Sequence, residues 1–157
     1  MTITQKIQYV VKLPFERKLW FFLTIITCSL VSIVIQFFNA KYLHPLMGAH
    51  LKNDLLCVIA TEKQRLKAWR IAKVAEAVCK GLPWENKCLT EAICTNILLK
   101  LYCIPSVFYL GSKIEQSSTG EMKAHAWITV GEYCVVGGDA ANEGYIVTAT
   151  FTTPRLS

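Results

Sequence analysis

The chain has 157 residues, 53% of them hydrophobic and 18% charged, which is ample apolar material for one core and more than a soluble domain of this size usually carries. Its net charge of +6 is spread among aliphatic residues without aromatic interleaving, which excludes a nucleic-acid surface as the leading reading. Seven cysteines (28, 57, 79, 88, 94, 103, 134), odd in number and with no C-x-x-C pair, argue against a disulfide framework or a zinc site and for a reducing, cytoplasmic setting.

Residues 1–18 are short and basic, with Pro14 at a helix entrance and Lys6, Lys12, Arg17 and Lys18 set against Glu16. Leu19 to Phe38 then runs for twenty residues without a charge, long enough to cross a bilayer and too long for a secretory h-region. The basic residues ahead of this run would keep the N-terminus inside and export everything after residue 41, which conflicts with a domain rich in unpaired thiols. Ser, Thr and Gln at 24, 27, 29, 32 and 36 also dilute it. The expectation is a helix or helical hairpin, docked on the following domain or lying in a membrane surface, in preference to a span; residues 19–38 are the candidate membrane contact.

Residues 39–61 read as a connector broken by Pro45 and Gly48, with His44 and His50 as surface histidines. Glu62 to Lys80 predicts a helix whose apolar stripe is Leu66, Trp69, Ile71, Ala72, Val74, Ala75 and Val78, the rest being a basic solvated face. Gly81-Leu82-Pro83 ends it, Gly81 suiting a C′ position. A second helix is expected from Glu85 or Asn86, with Asn86 as N-cap, to Leu101 or Cys103; Leu89, Ala92, Ile93, Ile97, Leu98 and Leu101 share one face. The chain thus divides into a basic and apolar N-terminal part, 1–61, and a domain, 62–157.

Cys88 falls in the first turn of that second helix. Unpaired backbone N–H groups and the positive end of the helix dipole there favour a thiolate and can donate to an oxyanion. Cys94 and Cys103 lie deeper and lack this advantage. Beyond Ile104-Pro105 the period changes to alternation, predicting strands at Val107–Gly111, Lys123–Val130, Tyr133–Val136 and Tyr145–Phe151. A polar loop is expected at 112–121, a turn at Gly131-Glu132 and a loop at Gly137–Gly144. A helix followed by an antiparallel meander is an α+β arrangement. His125 stands on the second strand between Ala124 and Ala126, which leave its ring uncovered, while Trp127 walls a pocket. Cys88 and His125 are therefore a candidate nucleophile and base, against the bland reading in which both are core residues of a membrane-associated binding or scaffold protein. No metal or cofactor is implied.

Trp84-x-x-x-Cys88-Leu89, a helix, Ile104-Pro105, a strand ending Leu110-Gly111, and Ala124-His125-Ala126-Trp127-Ile128 resemble the transglutaminase-like cysteine proteases of lasso-peptide biosynthesis. The likeness covers roughly 62–151 and extends upstream through Leu13-Pro14-Phe15-Glu16-Arg17-Lys18 and the apolar stretch. It implies a papain/transglutaminase-like fold and a leader peptidase acting on a ribosomally made precursor. Its partners would be a separate leader-recognition protein and an ATP-dependent macrolactam cyclase. Cys88 is then nucleophile and His125 general base. Trp84, Asn86 and Trp127 are candidates for the substrate and oxyanion pocket. The family's orienting aspartate stands twelve residues after the histidine, where this chain has Gly137; Asp139, two residues on, keeps strand parity and is the candidate third member, with a backbone carbonyl or Asn142 as alternatives. The same residues would serve a transglutaminase-like acyltransferase.

Overall fold

The computed structural model describes residues 14–37, 40–51, 57–81, 87–114, 122–138 and 143–153. In chain order it contains α1 (Phe15–Phe37), a 3₁₀ turn (Ala40–Leu43), α2 (His44–Met47), β1 (Ala49–Leu51), α3 (Glu62–Gly81), α4 (Lys87–Leu101), β2 (Val107–Ile114), β3 (Met122–Val130), β4 (Tyr133–Val136) and β5 (Ile146–Thr152). The five strands form one antiparallel sheet in the order β1-β5-β2-β3-β4. This is the expected α+β class.

α4 is the central helix. Ala92, Ile93, Cys94, Thr95, Asn96, Leu98 and Leu99 are buried on nearly every side of it, while Leu101 at its end is exposed. It packs on β3, α3 packs on β4, and α1 packs on both α3 and α4. Contacts along the helices give their directions. Glu16 pairs with Lys67 at 2.8 Å and Cys28 meets Cys79 at 3.1 Å, so α1 and α3 run parallel. Trp20 meets Tyr102 edge to face at 5.9 Å and Cys28 meets Cys94 at 3.2 Å, so α1 runs antiparallel to α4.

The uncharged run is thus a docked helix. Its inner row, Trp20, Thr24, Cys28 and Val31, is buried at four- and three-residue spacing. Three of the hydroxyls that dilute the run are satisfied by their own helix: Thr24 donates to the Trp20 carbonyl at 2.7 Å, Thr27 to Leu23 at 2.8 Å and Ser29 to Ile25 at 2.8 Å, whereas the buried Ser32 hydroxyl has no partner among the described residues. The opposite row, Phe15, Leu19, Phe22, Ile26, Leu30, Ile33 and Phe37, is exposed.

α3 starts on a capping box. The Gln64 amide donates to the Thr61 hydroxyl at 3.3 Å, and the Thr61 amide donates to the Gln64 side-chain oxygen at 2.9 Å. Its buried stripe is Ala68, Ile71, Ala72, Ala75, Val78 and Cys79, which keeps Ile71, Ala72, Ala75 and Val78 of the expected one; Leu66 and Trp69 are 51% and 53% exposed, because α1, α4 and β4 leave one side of the helix open. Gly81 is the last helical residue and has no left-handed φ, so it is not the expected C′ cap. α4 closes on a Schellman motif: Ile104 N–H donates to Leu99 at 2.9 Å and Cys103 N–H to Lys100 at 3.0 Å, with Cys103 at φ 51° in the place glycine usually takes.

Three features of the sheet differ from the expected meander. β5 crosses back to pair with β2, placing Phe108 opposite Phe151 in the core, and β2 continues to Ile114 because its backbone pairing with Met122 and Lys123 needs no apolar side chain at the exposed end. β1, in the expected connector, pairs with β5 through His50 and Phe151. The exposed His44 and His50 rings flank Phe151 at 5.6 and 5.2 Å. Buried Asn96 ties the same segment to α4, donating to the Leu46 and Met47 carbonyls at 2.9 and 2.8 Å. Buried residues from both sides of 61/62 belong to one core.

Candidate active site

Cys88 is the second residue of α4 and half-buried. The N–H groups of a first helical turn lack intrahelical acceptors, so a thiol there sits among unpaired donors at the positive end of the dipole. Trp84 and Asn86 lie in 82–86, outside the described residues. All seven cysteines are free thiols, and they fall into distinct environments. Cys28, Cys79 and Cys94 are buried together where α1 meets α3 and α4. Contacts with the Cys79 and Cys94 thiols, and then burial, push the Cys28 thiol well above the usual range, which marks it as a packed, unreactive group. Glu91, one turn after Cys88, has its carboxyl raised first by burial and then by Glu76.

β3 places the imidazole. Alternation along this strand sends Ala126, Ile128 and Val130 into the core shared with the helices, and His125 and Trp127 to the other face, where Trp127 joins Val107 and Tyr109. There the rings form a row. Tyr109 stacks on Trp127 at 5.3 Å, Trp127 lies nearly parallel to His125 at 6.2 Å, and Tyr145 covers His125 at 5.0 Å. Lys113 stands over the Tyr145 ring at 4.3 Å. The row needs Gly111, which pairs with His125 on β2: a Cβ there would sit 2.7 Å from the Trp127 ring.

His125 is held from its far nitrogen. Its Nε2–H donates to the Gly137 carbonyl at 2.8 Å, and because a carbonyl only accepts, the proton lies on Nε2, which in the neutral ring puts the lone pair on Nδ1. Gly137 has φ 90°, and a Cβ on it would stand 2.5 Å from Trp127 Cβ and 2.7 Å from the Ala126 carbonyl. Only glycine brings this carbonyl so close to the strand. The position at which the resemblance calls for an orienting carboxylate therefore supplies a backbone acceptor. Asp139 and Asn142 lie outside the described residues.

Among the described residues no hydrogen bond joins Cys88 to His125. The structure brings together His125, Trp127, Tyr145, Tyr109 and the Gly137 carbonyl on one face of the sheet, and carries Cys88 on the helix that packs on the other. Tyr145 was not singled out from sequence; its signal was an aromatic residue directly after Gly144, at the mouth of a strand that returns beside the histidine. Among the described residues no group of three or more His, Cys, Asp or Glu side chains is arranged to hold a metal ion.

No curated protein and no solved structure matches the chain. A family model described as the transglutaminase-like superfamily matches residues 34–150, from the last turn of α1 into β5, and so takes in both Cys88 and His125. That superfamily includes cysteine proteases, and its fold is consistent with a cysteine peptidase or an acyltransferase. By a match over most of its length, this chain belongs to the transglutaminase-like superfamily.

Proposed function

We propose that this protein is a cysteine peptidase that removes the leader from a ribosomally synthesised lasso-peptide precursor. Family membership supports acyl chemistry, and the observation that carries the reading is the imidazole: Nε2–H is tied to the Gly137 carbonyl, which leaves Nδ1 as the nitrogen free to take a proton. In the proposed reaction Cys88 gives its proton to His125, and the thiolate attacks the scissile carbonyl carbon. First-turn amides of α4 hold the oxyanion. The C–N bond breaks as the imidazolium protonates the leaving amine, and water, deprotonated by the same ring, releases the acyl group from sulfur. Trp84, Asn86 and Trp127 would line the substrate pocket. A separate leader-recognition protein and an ATP-dependent macrolactam cyclase are the proposed partners. Substitution of an amine for water would turn the same residues to transamidation.

The reading requires thiol and ring to meet, which makes their coupling the quantity to test. Iodoacetamide at neutral pH should alkylate Cys88 faster than the other six thiols, and His125→Ala should remove that advantage. Equal rates at all seven thiols, or an unchanged Cys88 rate in the His125 variant, would refute the dyad. The His125 ring lies on the sheet face away from the helix that carries Cys88, which favours a second reading, a non-catalytic binding protein, and that reading gains if Cys88→Ala leaves leader removal intact with precursor and recognition partner supplied.

A further inference from the structure

α1 is packed on one side only. Its inner row is used by α3 and α4, while the outer row from Phe15 to Phe37 offers large apolar side chains along the full 23-residue helix. An aqueous helix partner would call for charged residues flanking that row. From Leu19 to Phe37 there is no charge, and the flanking positions are filled by Leu23, Ile25, Ser29 and Val34, with the Ser29 hydroxyl turned onto its own backbone. The charges stand instead beside the helix. Lys67 reaches Glu16 from α3, and Lys63 and Arg70, four before and three after it, share that flank. Apolar along one helix and basic on the next, this surface matches the boundary between acyl chains and anionic headgroups.

We propose that α1 lies in the plane of an anionic membrane surface, its outer row seated at the acyl-chain boundary and the α3 cations at the headgroups. The neighbour argues against a span. α3 runs parallel to α1 from Lys67 beside Glu16 to Cys79 beside Cys28, and a spanning α1 would draw its charged side chains into hydrocarbon. The binding is read without catalysis, so it stands or falls apart from the peptidase reading.

The test is co-sedimentation of the full chain with vesicles of phosphatidylcholine alone or mixed with phosphatidylglycerol. Binding should appear on the anionic vesicles and be released by high salt and by alkaline carbonate. Ile26 and Leu30 are 56% and 58% exposed, so the pair Ile26→Lys and Leu30→Lys leaves the core alone and should weaken binding on the order of tenfold or more. Lys63→Glu with Arg70→Glu, which spares the apolar row, should weaken binding to the anionic vesicles alone. Four outcomes would overturn the proposal: wild type left in the supernatant with both vesicles, undiminished binding of both variants, retention in the pellet after carbonate, or a wild-type dimer that the Ile26 and Leu30 substitutions dissociate, which would make a second copy the occupant.

Discussion

The two faces of the sheet put the same strand to different uses. On the covered face Ala126, Ile128 and Val130 are packed under α4 and hold β3 in register. On the open face His125 and Trp127, one residue out of phase, stack with Tyr109 and Tyr145 and meet the Gly137 carbonyl. The covered face supplies rigidity through apolar contact, and the open face supplies an oriented imidazole. Because side chains alternate, anchoring the first determines the second.

Substitutions that separate the two faces should do so with effects of decreasing size. On the proposed peptidase reading, Cys88→Ala should lower leader removal on the order of 10⁴-fold or more while leaving the urea midpoint near wild type, since a half-buried first-turn thiol contributes little packing. Retained turnover would leave the helix layer purely structural. Gly137→Ala should cost roughly 10²-fold in kcat, because the new methyl group collides with Trp127 and displaces the carbonyl that sets the His125 tautomer. Imidazole ¹⁵N shifts should show the proton moving off Nε2; an unchanged tautomer would detach Gly137 from the ring.

Ile128→Ala, on the covered face, should cost about 2–4 kcal/mol of stability in urea unfolding with activity per folded molecule preserved. A loss of activity at full stability would mean that the faces are not independent. Glu91→Gln should stabilise the protein slightly at neutral pH. The folded-state carboxyl is raised, so the native form binds more protons than the unfolded chain between the two pKa values, and stability falls as pH rises through that window. The gain should vanish below the ordinary glutamate pKa, and its persistence in acid would point to packing instead of charge. Asp139→Asn should change kcat by less than about threefold, because Nε2–H already has the Gly137 acceptor. A large loss would restore the carboxylate as the third member of the site.

Local pattern was enough for much of this. The apolar run 19–38, the periodicity of 62–80 and of the segment from Glu85 or Asn86 to Leu101 or Cys103, and the alternation beyond Ile104 match α1, α3, α4 and the strands to within a few residues, because helix and strand periods are written in the order of apolar positions. Cys88 at a helix start and His125 on a strand were equally legible, since both depend on neighbours in sequence. Pairings between distant segments were not. The β5–β2 pairing, the recruitment of Ala49–Leu51 as an edge strand and the burial of Cys28 against Cys79 and Cys94 join positions far apart in the chain, as distant as Ala49 and Thr152, and no local pattern names the partner.

The orienting group shows the boundary between the two kinds of information most clearly. Sequence alone determined that residue 137 is glycine and that Asp139 follows two residues later. Tertiary structure decided that the Gly137 carbonyl, at φ 90° and against Trp127, is the acceptor for His125, and that the ring turns to the face away from α4. A backbone carbonyl carries no side-chain identity, so its role becomes visible only when folding brings it to 2.8 Å from the ring.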